Sequence, residues 1–335
     1  MSAKNIGFMK RKRIGASSLE ASTIGLGHSM GFDDFSEAGL SEFKDLVSRA
    51  LDLGINFFDS SDAYWNGLHE DWLRLALKGT RDKAIVASKF GNITLADGSK
   101  ATNGKPAYVQ TCCEASLKRL GQECIDLYYL HRVDPQTPIE DTIGAMSRLV
   151  DQGKVRYLGI CEAGIETLIR AHRVHPITAL QTEYSLWYRD SEQEMIQTCR
   201  ELQIGFVGYS PLGRGLLTGN IQSYEDLHVK DRRRIHPRFQ GNNLESNLAL
   251  VKQMQPIADR LGITLAQLAI AWVVAQGDDI LAITGTQRVK YLEQSVSAAT
   301  LVLGQADLKE LEHIFRPQAR AGDRYPREML PGLGI

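Results

Sequence analysis

The chain has 335 residues, 39 Lys plus Arg against 40 Asp plus Glu, and a formal net charge of −1. That balance argues against nucleic acid or an anionic membrane surface as a partner, and a composition 43% apolar and 24% charged argues against extensive disorder. The five cysteines (Cys112, Cys113, Cys124, Cys161, Cys199) are odd in number and show neither C-x-x-C nor zinc-ligand spacing, so thiols used as small apolar side chains in a reducing compartment are expected and a metal site is not.

The basic cluster Lys10 to Arg13 is not followed by an apolar segment, which excludes a signal-peptide reading. The longest apolar stretch, Leu265 to Ala275, is too short to span a bilayer. A cytoplasmic location is expected.

In chain order, short β-branched and aromatic runs alternate with helical spacing. Thr23 to Gly27 precedes a helix pattern at Ser41 to Leu53. Ile55 to Asp59 precedes Leu68 to Lys78, and Ala84 to Phe90 precedes Pro106 to Leu120. Cys124 to His131 precedes Ile139 to Val150, Val155 to Cys161 precedes Ile165 to His172, and Ala179 to Tyr184 precedes Glu192 to Leu202. Gly205 to Ser210 leads into a long irregular stretch, Leu212 to Asn243, of the length that marks a lid or binding loop. Ile280 to Thr284 precedes Val289 to Ala298. Gly54, Gly121 and Gly153 stand just past helix ends, and Pro106 and Pro138 fit first turns.

Eight strand–helix units with no flexible linker predict one α/β domain over 1–335 with a parallel sheet. An open dinucleotide-binding sheet would show G-x-G-x-x-G after its first strand. The glycines at Gly25, Gly27 and Gly31, and at Gly213, Gly215 and Gly219, miss that spacing. The eight-fold count therefore predicts a single (β/α)8 TIM barrel, whose chemistry gathers at the C-terminal ends of the strands.

Those ends carry an acid (Asp59), a phenol (Tyr64), an amine (Lys89) and an imidazole (His131) on three consecutive strands. An ammonium beside a phenol stabilises the phenolate, and a carboxylate holds the ammonium in place. A phenol so tuned can protonate a developing alkoxide, while the imidazole orients the carbonyl. No side chain delivers hydride, so a cofactor must.

These residues resemble the aldo-keto reductase superfamily over nearly the whole chain. The matching segments are Leu26 to Gly31, Gly54 to Tyr64, Ala87 to Gly91, Asp126 to Arg132, Gly153 to Gly159, Gln181 to Ser185, Tyr209 to Gly215 and Gly285 to Arg288. The resemblance implies a barrel with an N-terminal hairpin cap, a long loop after the seventh strand and a C-terminal tail over the mouth. It implies the catalytic tetrad Asp59, Tyr64, Lys89 and His131, and NADPH bound across the mouth. Tyr209 would stack on the nicotinamide, with Cys161, Glu162 and Gln181 near its carboxamide. Ser210, Leu212, Gly213 and Arg214 would follow the pyrophosphate. Gly285, Thr286 and Arg288 would hold the adenosine phosphate, with Gln294 and Ser295 near the adenine. Trp65, Trp187 and Phe32 would line the substrate pocket.

The expected activity is reduction of an aldehyde or ketone to the alcohol. The alternative is an NADPH-binding regulatory subunit, similar to channel-associated β subunits, with slow turnover. A metal-dependent hydrolase lacks a convergent His/Asp ligand set.

Overall fold

A computed structural model describes residues 9–28, 35–192 and 194–335, save the side chains of residues 328, 329 and 331. Two short strands, β1 (Arg11–Arg13) and β2 (Glu20–Ser22), form an antiparallel hairpin. Then come β3 (Ile24–Gly27), α1 (Glu37–Asp52), β4 (Phe57–Asp59), α2 (Leu68–Ala76) and β5 (Ile85–Phe90). A second hairpin, β6 (Asn92–Thr94) and β7 (Lys100–Thr102), leads to α3 (Pro106–Leu120) and β8 (Ile125–Leu130). The chain continues through α4 (Ile139–Asp151), β9 (Val155–Cys161), α5 (Ile165–Val174), β10 (Ile177–Glu183), α6 (Met195–Glu201) and β11 (Gly205–Tyr209). After a loop of short 3₁₀ turns follow α7 (Gly241–Gln253), α8 (Gln255–Leu261), α9 (Leu265–Val274), β12 (Ile280–Gly285), α10 (Val289–Ala298) and α11 (Gln305–Ile314).

Strands β3, β4, β5, β8, β9, β10, β11 and β12 close into a parallel (β/α)8 barrel. The period of two along each strand sorts side chains between two apolar regions. Phe58, Val86, Tyr128 and Leu130 face the helices, whereas Phe57, Ile85, Ala87, Leu127, Tyr129, Val207 and Leu281 fill the interior. Tyr129 fits there because Gly159 stands opposite: a Cβ at that position would lie 2.4 Å from the Tyr129 ring. The β1–β2 hairpin plugs the N-terminal end, with Ile14, Leu19 and Ala21 joining the interior cluster and the Lys12 ammonium donating to the carbonyls of Gly277 and Ile280, both at 2.9 Å.

Continuing the same period, the next inward positions toward the C-terminal end are Asp59, Lys89, His131, Cys161, Gln181 and Tyr209. An apolar floor thus lies beneath a polar layer, and the polar layer faces the mouth.

The helix boundaries have local causes. Pro106 occupies the first turn of α3, and Gly121 ends it in the left-handed region at φ 60°. Thr264 and Gln267 form a reciprocal capping box on α9. Cys112 and Cys113 are buried in α3 as free thiols, and His172 Nδ1 accepts from the Ile177 amide at 3.1 Å. Among the described residues no cluster of His, Cys, Asp or Glu could hold a metal ion, and no single helix is long and apolar enough to cross a membrane.

Candidate active site

At the β4 exit the chain reads Asp59-Ser-Ser-Asp-Ala-Tyr64. Asp59 ends the strand and pairs in register with Ala87 of β5, which places Lys89, two residues on, above it on the same inner face. The fully buried Lys89 ammonium donates to Asp59 Oδ1, to the Ser60 carbonyl at 2.8 Å and to the Tyr64 hydroxyl at 3.3 Å. Gln181 holds the other carboxylate oxygen of Asp59 at 2.8 Å. Tyr64 faces His131 with ring centroids 5.7 Å apart and planes at 87°. The four residues of the expected tetrad therefore meet around one point at the mouth.

The electrostatics follow from burial. Desolvation is the largest single influence on Lys89 and pulls it down, but the Asp59 carboxylate with its hydrogen bond, together with Tyr64 and Cys161, holds the ammonium above its ordinary value. For Tyr64 burial is the larger influence and raises the phenol above its usual pKa, with Lys89 pulling in the opposite direction. The sequence reading of a phenol made acidic by its lysine is corrected here: the lysine acts in the expected sense, yet desolvation prevails and the hydroxyl keeps its proton. His131 is held well below its usual value by burial and by the nearby Arg132 and Lys89 charges, so its imidazole is neutral. Burial likewise pushes the Cys161 thiol up to about 12.

The expected cofactor residues fall around the same mouth. Glu162, at the β9 exit, accepts from the Tyr209 hydroxyl at 2.7 Å and from the Glu183 amide at 2.9 Å. Gln181, expected near a carboxamide, spends its amide nitrogen on Asp59. Ser210 and Leu212 are half-buried beside buried Gly213 in the loop after β11, and Arg214 lies with its side chain 3.7 Å from Glu183. Gly285 is exposed at the end of β12, the Thr286 hydroxyl accepts from the Arg288 amide at 3.2 Å, and Arg288 is the exposed N-cap of α10. Gln294 is half-buried one turn into α10, while the buried Ser295 donates its hydroxyl back to the Tyr291 carbonyl at 2.9 Å.

Of the expected substrate-pocket residues, Trp65 sits beside His28 at 4.8 Å and Trp72 at 5.3 Å and helps line a cavity of about 20 Å³ that also touches His28, Asp59 and His69. Trp187 is buried, packed on Phe315 at the end of α11 at 5.6 Å, with Arg320 donating to its backbone carbonyl; it is a core residue and not a lining one. Phe32 lies outside the described residues.

Several site residues escaped sequence reasoning. His28 stacks on Tyr64 at 4.7 Å, and Ser61 reaches the His131 ring at 3.1 Å; both lie within or beside segments already singled out, but neither residue type signals its geometry. The tail does close over the mouth, and its contacts are specific: Arg324 makes a two-pronged pair with Glu162, and the Tyr325 hydroxyl meets that of Tyr209 at 3.0 Å. Gly334 donates to the Glu162 carbonyl at 2.8 Å.

Backbone strain marks the same place. Trp65, Asn66, Glu162, Ser210 and Arg214 all adopt positive φ (51° to 61°) at strand exits or in mouth loops, a conformation that non-glycine residues hold only where surroundings over-determine it.

A family profile described as Aldo/keto reductase family matches residues 23–316. The chain is 42% identical to "Probable aldo-keto reductase 1" of Glycine max over 316 residues, covering 93% of this chain and 91% of that protein. Among solved structures, glycerol dehydrogenase AKR11B4 of Gluconobacter oxydans superposes with a TM-score of 0.83 at 26% identity, covering 91% of this chain and 94% of its own. Aldo-keto reductase AKR11C1 of Bacillus halodurans gives 0.74 at 26% identity, covering 91% and 96%.

Proposed function

Because the chain belongs to the aldo/keto reductase family, we propose that it is a cytoplasmic NADPH-dependent oxidoreductase that reduces an aldehyde or ketone to the alcohol, with Tyr64 as the proton donor. The observation that carries this reading is the Lys89 ammonium, buried between the Asp59 carboxylate and the Tyr64 hydroxyl, with a neutral His131 across from the phenol.

The mouth suits a dinucleotide. The strained backbone at Ser210 and Arg214 and the exposed Arg288 at the start of α10 line a path for phosphates, since free N–H groups of a helix start and a planar guanidinium both favour them. When bound, the cofactor supplies the hydride that no side chain can deliver. Tyr64 holds its proton at the hydroxyl because burial disfavours the phenolate. As negative charge grows on a substrate oxygen placed beside it, that proton has a short path, and the Lys89 charge steadies the phenolate left behind. Asp59, fixed by Gln181, keeps the ammonium from turning away. His131 offers a hydrogen bond to the same oxygen and orients the carbonyl carbon.

The test is cofactor oxidation by the purified protein over a panel of aldehydes, ketones and sugars with NADPH, repeated with NADH. Tyr64→Phe should retain NADPH binding and lose turnover by a factor of roughly 10² or more; turnover of that variant at the wild-type rate overturns the assignment. Tight NADPH binding with negligible turnover across the panel would instead favour a cofactor-sensing subunit.

A further inference from the structure

We propose that Ser61 is a positioning residue that fixes the proton of His131 on Nε2, the nitrogen that can then donate to the substrate carbonyl. This rests on the reading above, in which His131 orients that carbonyl, and adds a residue that the Asp, Tyr, Lys and His set does not include.

The argument begins with bonding capacity. Ser61 is fully buried, and its hydroxyl has one proton and two lone pairs. The Ala63 amide already donates to Oγ at 3.2 Å. The hydroxyl proton has three acceptors in reach: His131 Nδ1 at 3.1 Å, and the Lys89 carbonyl and Asp62 Oδ1, both at 3.3 Å. The imidazole is the nearest, and, neutral with a single proton of its own, it has one nitrogen free to accept; the hydroxyl proton is assigned to Nδ1. Which nitrogen carries the proton in a neutral histidine is set by the bond that the other makes. A donor aimed at Nδ1 therefore leaves the proton on Nε2.

The rest of the ring's surroundings agree. The His131 amide donates to the Phe90 carbonyl at 2.8 Å, and the His131 carbonyl accepts from Arg132 at 2.7 Å, so the backbone is held at both ends. Lys89 and Arg132 are the charged groups that act on the ring, and both are cations, which disfavour a second proton. Among the described residues the ring's hydrogen bond to protein is the one at Nδ1, which leaves Nε2 available at the mouth. With the opposite tautomer the nitrogen facing a carbonyl would be an acceptor, and two lone pairs would oppose each other.

Nitrogen-15 NMR of histidine-labelled protein without cofactor, with His131→Gln used to assign the resonances, reads the tautomer directly. The wild type should show His131 protonated at Nε2 and bare at Nδ1; a proton at Nδ1 overturns the proposal. Ser61→Ala, which keeps the volume, should shift the Nδ1 resonance and lower kcat for a carbonyl by about five- to tenfold, the size expected for one lost hydrogen bond, with NADPH affinity unchanged. Ser61→Thr, which restores a hydroxyl, should recover both. A Ser61→Ala protein with an unaltered His131 spectrum also overturns the proposal. If no carbonyl is turned over by the wild type, the reductase reading falls, and the spectrum still decides the role of Ser61.

Discussion

Replacing Lys89 by Met tests whether the polar layer is held by an ion pair. The side chain it removes is fully buried and bonds Asp59, the Ser60 carbonyl and the Tyr64 hydroxyl. Met fills similar space, so packing changes little, but the Asp59 carboxylate is left in the barrel interior with Gln181 as its remaining side-chain donor. Leaving one buried charge without its partner costs about 3–5 kcal/mol. The double variant Lys89→Met/Asp59→Asn removes both charges, and its stability should return to within about 1–2 kcal/mol of the wild type, a non-additivity that a double-mutant cycle measures directly. Urea unfolding followed by tryptophan fluorescence and circular dichroism reports both values. If Lys89→Met unfolds at the wild-type urea concentration, or if the double variant is as unstable as the sum of its parts, the ammonium and carboxylate are not a dry pair and the proton-transfer argument loses its base. Turnover should fall in both variants by roughly 10²–10⁴, since each loses the charge that steadies a phenolate at Tyr64.

Burial raises the Asp62 carboxyl to about 7, with Glu70 adding to the rise and Arg119 opposing it. The folded chain thus binds this proton more tightly than the unfolded one, so stability falls as pH rises from the usual carboxylate range to about 7 and is level above. At about 1.4 kcal/mol per tenfold in affinity, Asp62→Asn should stabilise the protein by up to roughly 3–4 kcal/mol at pH 8 and by little at pH 4, as urea curves at the two pH values would show. Arg324→Ala should cost about 3 kcal/mol, measured the same way, because Glu162 loses a buried two-pronged partner while keeping Tyr209 and the Glu183 amide. Arg288→Ala should weaken NADPH by roughly 10- to 100-fold and leave NADH unchanged in fluorescence titrations, as expected for a lost charge-assisted contact to a 2′-phosphate.

The barrel was legible because each unit pairs a short run at period two with a longer one at period 3.6, and the observed strand ends fall within two residues of those read from the pattern. What stayed hidden has physical reasons. The β6–β7 hairpin uses three-residue strands that are half-exposed or exposed, too short for alternation to register, although Asp97-Gly98 marks its turn. Helix α7 begins in the last residues of a stretch read as loop, at a glycine, a poor helix former. At the candidate site, Asp59, Tyr64, Lys89 and His131 stood out as polar types at or just past strand exits. Ser61 and Arg324 did not, because their roles depend on a bond across 70 residues in one case and 162 in the other.

The two ends of the barrel divide the work of stability and chemistry. At the closed end the hairpin residues Ile14, Leu19 and Ala21 complete an apolar cluster with Phe57, Leu127 and Leu281, and such burial is what holds a domain together. At the open end the chain buries an ion pair, keeps six inward positions polar or titratable, and holds five non-glycine residues at positive φ; each of these opposes folding. Because the Lys89–Asp59 pair and the inward polar positions sit above an apolar floor and under a tail anchored by Arg324, the polar layer can be changed without disturbing the closed barrel beneath it. The Lys89→Met/Asp59→Asn variant should therefore retain the fold while losing turnover, and that separation identifies the layer as an arrangement for moving a proton and not a strut.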